Sequence, residues 1–295
     1  MTRRAWLLNL DAEDEVFRRQ TYPGPFASLA ARPELVGRLW SLVPEGDVLV
    51  IDDRTRADGL EGRAWCPTPR AITALMRAGA RPPPAPPIDV LAEALSRAIC
   101  VRAGLTLDAA LFTLEAQTAV TRLAEPVDGG RWLVRRSWGF AGRGRLVVPF
   151  GAQTPQVLAF LARAAREGGL LIEPWLERTM DCGLHGFLHP DGTLVEGEPC
   201  LSEVNDGGVW LGSRRAGSDD LRAAERQALT VSLRQAASVL RELGWFGPFG
   251  VDGFRYRRDG EERFNPRCEI NARYSMGWAV GMGDRRPDLE PHTGG

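Results

Sequence analysis

Polar and apolar positions alternate strictly over 269–273, where Glu269, Asn271 and Arg273 take turns with Ile270 and Ala272. Strand side chains repeat with a period of two, so this spacing predicts a β-strand with three polar side chains on one face and two apolar ones in a core. Apolar runs at 6–10 and 48–52 predict strands of a small N-terminal α/β unit. Residues 131–136 and 146–148 predict two strands joined by a small-residue loop, and 170–176 an apolar strand that passes into an extended segment. Helical spacing occupies 88–103 and about 107–124, the second with Leu107, Ala110, Leu111 and Leu114 on one stripe and Pro126 at its end. Thr154-Pro155 caps and opens another helix with Val157, Leu158, Leu161 and Ala165 inward, stopped by Gly168-Gly169. A long helix over about 219–243 carries the stripe Leu229, Leu233, Ala236, Leu240 and Leu243 and ends at Gly244. Turns are expected at Pro190-Asp191-Gly192 and at 205–210, followed by Arg214-Arg215, which read as surface charge. The fold class this predicts is α/β (α+β).

The clearest boundary is Arg81-Pro82-Pro83-Pro84-Ala85-Pro86-Pro87, a stiff polyproline-type connector. It divides an N-terminal α/β domain, 1–87, from two further units expected at 88–172 and 173–284, with a polar and loosely ordered tail at 285–295. At 295 residues the chain is long enough for a large core. A formal net charge of −1 gives no electrostatic reason to expect a nucleic-acid or acidic-membrane partner. Five scattered cysteines (Cys66, Cys100, Cys182, Cys200 and Cys268) show no zinc-ligand spacing and read as buried free thiols. His185 and His189 fall beside glycines and a Pro-Asp-Gly turn, which argues for a hairpin and against a metal pair. No apolar run reaches the ~18 residues of a membrane span, and the first residues are too short a run for a secretory signal, so a cytoplasmic protein is expected.

The candidate chemistry begins at the alternating strand. A carboxylate and a side-chain amide are hard oxygen donors of the kind Mg²⁺ takes, one or two carboxylates at a time, before phosphates and water complete its shell. Arginine supplies a fork that matches phosphate oxygens. Upstream, Ser137-Trp138-Gly139-Phe140-Ala141-Gly142-Arg143-Gly144-Arg145 lets backbone N–H groups approach a polyphosphate, with Arg135 and Arg143 adding charge.

In order and spacing, these pieces resemble the ATP-grasp superfamily over roughly 90–284. The resemblance implies that the loop holding Ser137, Gly142, Arg143 and Gly144 closes over the ATP phosphates together with Arg135. It implies that Glu173, Trp175 and Leu176 form the adenine hinge, with Asp181 near the ribose. By the same likeness Asp252, on the strand that turns through Arg258-Asp259-Gly260-Glu261, joins Glu269 and Asn271 in binding Mg²⁺. Arg273 would face the triphosphate or a substrate carboxylate, and the 1–87 unit would contact substrate.

The chain departs from that family in one respect: all 37 of its Lys+Arg residues are arginine. Arg135 stands where a lysine is usual, and Arg97, close before Gly104, is the nearest candidate for an earlier one. The missing lysine excludes a Walker A loop, a protein-kinase site and a pyridoxal Schiff base. The expected activity is an ADP-forming, ATP- and Mg²⁺-dependent ligase that joins a carboxylate to an amine, both small molecules or peptides, through an acyl-phosphate. The alternatives are a nucleotide-binding regulatory or scaffold protein, and a phosphotransferase. Homodimers are common among such enzymes.

Overall fold

The structure, a computed structural model, describes residues 3–18, 21–26, 34, 37, 39, 41–139, 144–204 and 210–290. Its first sheet is parallel and three-stranded, in the order β2 (Val48–Leu49), β1 (Arg4–Leu7), β3 (Glu61–Ala64). The central strand is buried along its whole length, as expected where helices cover both faces of a parallel sheet. Helices α1 (Ala12–Arg18) and α2 (Pro69–Arg77) follow β1 and β3, and α2 starts where the Thr68 hydroxyl accepts a hydrogen bond from the Ala71 N–H. The expected strand at 48–52 is shorter than its apolar run. Strand β3 was not foreseen, because Glu-Gly-Arg-Ala has no apolar alternation. It is held by its neighbours: Arg63 donates from Nε to the Asp288 carbonyl (2.6 Å) and pairs with Glu61 (3.2 Å). The polyproline segment starts by lying along this edge, with the Gly62 N–H on the Arg81 carbonyl and the Arg81 N–H on the Leu60 carbonyl.

The second sheet is antiparallel, in the order β4 (Leu111–Thr113), β7 (Leu170–Pro174), β5 (Arg131–Arg136), β6 (Arg145–Pro149). Helices α5 (Ala116–Leu123) and α6 (Pro155–Arg166) pack on it around Leu123, Trp132, Val134, Leu161 and Ile172. The helix expected over 107–124 is therefore corrected. Its first half is strand β4, whose Leu111, Phe112 and Thr113 pair with Ile172, Leu171 and Leu170, and only 116–123 is helical. The helix expected over 88–103 is also split, into α3 (Ile88–Leu95) and α4 (Ala98–Arg102). Ser96 breaks it in extended conformation, its hydroxyl 2.7 Å from the Ser137 hydroxyl. The Thr154-Pro155 start of α6 is as expected, but Leu158 is 40% exposed and Ala164 fills the inward position instead.

The third sheet follows the path β11 (Trp210–Arg215), β10 (Cys200–Val204), β8 (Glu177–Leu188), β12 (Gly247–Arg258), β13 (Glu261–Asn271), with β9 (Leu194–Glu196) beside β8. The long helix α7 (Ala223–Leu243) covers it with Leu229, Leu233, Ala236 and Leu240, and stops at Gly244 in the left-handed region. It starts four residues later than expected. A short helix, α8 (Trp278–Met282), follows β13. The turn expected at 205–210 lies, but for Trp210, outside the described residues. The tail is tied down through Glu290, contrary to expectation: Asp288 is buried, accepts from the Tyr274 hydroxyl (2.9 Å) and pairs with Arg286 (2.8 Å).

Two features of the β12–β13 hairpin aim its side chains. Asp259 and Gly260 both have positive φ, at 55° and 78°, which matches the two-residue turn that suits the twist of paired strands. Between Asp252 and Phe254 the pairing register shifts, and Gly253 sits in the shift. A Cβ there would lie 2.9 Å from the Asn265 carbonyl oxygen and 3.1 Å from Pro266 Cα. Both are backbone atoms, so Gly253→Ala has to push the two strands apart. The expected outcome is a loss of about 1–3 kcal/mol in urea unfolding, the range for overpacking; an unchanged midpoint would show that the shift absorbs a methyl group.

Candidate functional site

Pairing of β12 with β13 sets Asp252 opposite Glu269 and Gly250 opposite Asn271. Opposed residues project to one face, so two carboxylates and an amide converge beside a glycine that takes no space. The Asn271 Nδ2 donates to Asp252 Oδ2 at 3.0 Å. Burial, and secondarily the Glu269 charge, push the Asp252 carboxyl up to about 7, against the pull of the Asn271 hydrogen bond. Burial also pushes Glu269 up, but the guanidiniums of Arg97, Arg135, Arg273 and Arg178 outweigh it and hold that carboxyl below its usual range.

Those arginines come from different elements. Arg135, on β5, reaches Glu173 Oε2 on β7 through Nη2 (2.5 Å) and Glu269 Oε2 on β13 through Nη1 (3.1 Å), and donates to the Cys268 carbonyl (3.0 Å). Arg97 enters because Ser96 breaks the α3–α4 helix. Its Nη2 lies 2.7 Å from Glu269 Oε1, and its Nη1 donates to the carbonyls of Arg136 and Ser137. The Nε–H groups of Arg97 and Arg135 are buried and find no acceptor among the described residues. Arg178 pairs with Asp181 (3.0 Å), donates to Cys268 Sγ (3.4 Å) and lies 4.2 Å from the centre of the Phe254 ring.

The structure thus brings Arg135, Glu173, Asp252, Glu269 and Asn271 together, with Asp181 joined through Arg178. Trp175 stands at the end of β7 with the Arg131 guanidinium 3.9 Å over its ring and its N–H on the Arg131 carbonyl, and Leu176 follows it. Ser137 is fully buried, its hydroxyl turned to Ser96. Gly144 has a φ of 71° and packs on the Arg136 side chain, whereas Gly142 and Arg143 lie outside the described residues. Strand β13 ends at Asn271, so the alternation no longer governs Arg273; it is buried against the N-terminal unit, its Nε 2.7 Å from Glu13 Oε1 and its guanidinium 5.6 Å from the Trp65 ring centre. Sequence reasoning missed Glu13, Arg178 and Phe254. The only local signal was Arg178 three positions before Asp181.

Among the described residues no three His, Cys, Asp and Glu side chains are placed to hold a metal. The donor set on the hairpin is two carboxylates and an amide, which fits Mg²⁺, because that ion keeps water and phosphate for most of its shell. It also fits the electrostatics: a buried carboxyl held near neutrality beside a second carboxylate is what a divalent cation relieves. The five cysteines are all free and buried, and burial raises every thiol above its ordinary range, so none is an activated nucleophile. His185, on β8, is pushed down to about 4 by burial. A cleft of about 380 Å³ lined by Glu198, Arg215, Met282, Asp284 and Arg285 shares no residue with this cluster.

No family model and no curated protein matches the sequence. Solved structures do resemble the fold. A biotin carboxylase complex from Campylobacter jejuni superposes with a TM-score of 0.55 at 12% identity, covering 95% of this chain and 67% of that one. D-alanyl-alanine synthetase A from Vibrio cholerae gives 0.51 at 13%, covering 92% and 89%. N5-carboxyaminoimidazole synthetase from Staphylococcus aureus in complex with ADP gives 0.47 at 12%, and this chain spans 54% of its length. The fold is the ATP-grasp fold, as the resemblance of the motifs led one to expect.

The Asp252 carboxyl yields a pH test on the metal-free protein. Its folded value, about 7, lies above the ordinary 3.8 of an aspartate. The native state therefore binds the extra proton, and this contribution to stability is present below about pH 4 and lost as pH rises through about 7. Asp252→Asn should flatten the fall in melting temperature between pH 5 and 8. An unaltered pH profile would mean that Asp252 titrates at an ordinary carboxylate value.

Proposed function

We propose that this chain, which has the ATP-grasp fold, is an ATP- and Mg²⁺-dependent ligase joining a carboxylate to an amine. The observation that carries the reading is the pair of buried Nε–H groups on Arg97 and Arg135, without an acceptor among the described residues, flanking Glu269 directly across from Asp252. Buried donors of this kind cost free energy until an acceptor arrives. Phosphate oxygens, brought in with a cation that takes Asp252, Glu269 and the Asn271 amide, supply both halves at once. Neighbours of this fold are described as complexes with ADP and ATP, which supports a nucleotide at this place.

Arg97 and Arg135, with Arg143 and the backbone of the Ser137–Gly144 segment, hold the phosphates. Glu173, Trp175 and Leu176 border the base, and Asp181 the ribose. Mg²⁺, which Asp252, Glu269 and Asn271 would hold, would supply charge neutralisation for the transferring phosphoryl group. The substrate carboxylate takes that group as ADP leaves, and the amine then displaces phosphate from the acyl carbon. Arg273 faces the substrate side. This work needs positioning and electrostatics, which suits a site without an activated thiol. In this reading 88–172 and 173–284 are the two lobes about the nucleotide and 1–87 contacts substrate. Five free thiols fit a reducing compartment.

A second reading, nucleotide binding without turnover, is favoured by one fact: arginine, planar and bulkier, stands where an ammonium is usual. Arg135→Lys separates the two. A working ligase should change its rate of ADP formation modestly, whereas a degenerate site stays inert with every carboxylate tried.

Glu269→Gln keeps size and removes one anionic ligand. ADP formation should fall about 10²-fold or more, the scale of one lost electrostatic contact in a transition state, and Asn271→Ala should act likewise. Ile270→Val, on the opposite face, should cost only about 0.5–1.5 kcal/mol of stability. Nucleotide-induced thermal shifts with and without Mg²⁺ report the ligand directly. A full Mg²⁺-dependent shift in Glu269→Gln would remove Glu269 from the metal site.

A further inference from the structure

The N-terminal unit carries two buried polar atoms whose demands are opposite. Glu13, on α1, is 4% exposed; its Oε1 accepts from Arg273 Nε at 2.7 Å, while its Oε2 finds no donor among the described residues. Trp65, fully buried, has an Nε1–H with no acceptor among them. The Arg273 guanidinium joins the two, bonded to Glu13 and 5.6 Å from the Trp65 ring centre. A dry carboxylate oxygen without a donor is among the costlier defects in a protein interior, and an indole N–H without an acceptor is a smaller one.

Loose packing does not explain the pair, because the polar groups around it are satisfied. Glu15, two positions on along the same helix, uses both oxygens, on the Thr68 hydroxyl (2.6 Å) and the Arg70 N–H (2.8 Å). Asn9 donates to the Cys66 carbonyl and accepts from the Cys66 N–H. Tyr22 donates to Asp11. Glu13 Oε2 and Trp65 Nε1, on the two side chains that Arg273 meets, stay open among the described residues.

The place matches a common ligand position of parallel sheets. Strands β1 and β3 are parallel neighbours, Trp65 is the first residue past the carboxyl end of β3, and Glu13 lies on the helix that follows the carboxyl end of β1. In sheets of this kind the crevice beyond the carboxyl ends of the strands is the usual ligand position. Arg273, which meets both side chains, is two residues beyond Asn271, so this place adjoins the proposed metal ligands. One helical turn past Glu13, Phe17 sits 5.4 Å from the Trp138 ring, at the start of the glycine segment. Helix α1 therefore touches both the end of the metal strand and the loop.

We propose that Glu13 binds the ammonium group of the amine substrate, and that this substrate is of amino-acid type, its own carboxylate taken by Trp65 Nε1–H and Arg273. This rests on the ligase reading above and specifies its amine. A donor completes Glu13 Oε2, most strongly when it is cationic, an acceptor completes Trp65 Nε1, and a molecule carrying both ammonium and carboxylate meets the two together.

The test is thermal shift with each of the protein amino acids as probe, compared with acetate, propionate and ethylamine at equal millimolar concentration. At least one amino acid should stabilise the native protein beyond any of these three. Glu13→Gln should weaken that amino acid roughly tenfold or more, the loss of a hydrogen bond to a charged group. Trp65→Phe, which keeps the ring and removes only the N–H, should weaken it about threefold or more and covers the case in which Glu13→Gln fails to fold. Both variants should keep the full Mg·ATP shift. Equal amino-acid affinity in native protein and both variants overturns the proposal, as does a native protein that shifts with Mg·ATP and with no amino acid. Absence of any Mg·ATP shift in the native protein overturns the ligase reading instead, and the amino-acid comparison still decides the role of Glu13.

Discussion

The arrangement of this molecule depends on one buried guanidinium. Arg135 is anchored on the four-stranded sheet, where it meets Glu173, and it crosses to Glu269 and the Cys268 carbonyl on the six-stranded sheet. Two sheets that pack around separate apolar clusters are thereby held in one register at the place where the candidate site forms. Removing one partner from such a buried arrangement leaves an uncompensated charge and costs about 3–5 kcal/mol, whereas a well-packed apolar substitute for the whole group costs little. Stability is therefore a weak reason for it to exist. Its value lies in placing a cation between two carboxylates that would otherwise repel, at the centre of the candidate site.

Arginine suits this arrangement better than lysine would. The Arg97 fork spends one Nη on two main-chain carbonyls and the other on Glu269, so the side chain is both fixed and charged in a nearly dry place. An ammonium carries three donors on a point charge and shifts its protonation readily when buried; a guanidinium stays charged. A chain without lysine can thus keep its cations deep in the fold, and Arg178 on the Phe254 ring and Arg273 above Trp65 use the same property of a flat, weakly hydrated cation.

What the sequence made legible was local and periodic. The alternation at 269–273 predicted the strand as far as Asn271, with Glu269 and Asn271 on one face and Ile270 buried behind them, because a period of two is hard to mistake over a buried strand; past its end Arg273 turns to the N-terminal unit. Thr154-Pro155 and Gly244 marked helix ends that the structure keeps. The failures came where a distant partner decides. Residues 107–114 match a helical stripe, yet β7 offers Leu111–Thr113 an open edge, and over so short a span period alone cannot separate helix from strand. Arg97 looked misplaced by spacing until the Ser96–Ser137 contact broke the helix and turned it inward. Glu13 sits 260 positions from the arginine it meets, and no pattern of nearby residues encodes such a pair.

The contact between Arg63 and the Asp288 carbonyl spans 225 positions. During synthesis β3 emerges with the Arg63 guanidinium paired locally, to Glu61 and the Gly62 carbonyl, and its Asp288 partner follows 225 residues later. At roughly 5–20 residues per second that wait is about 10–45 s. The N-terminal unit is thus completed only once the segment around Asp288 has followed it.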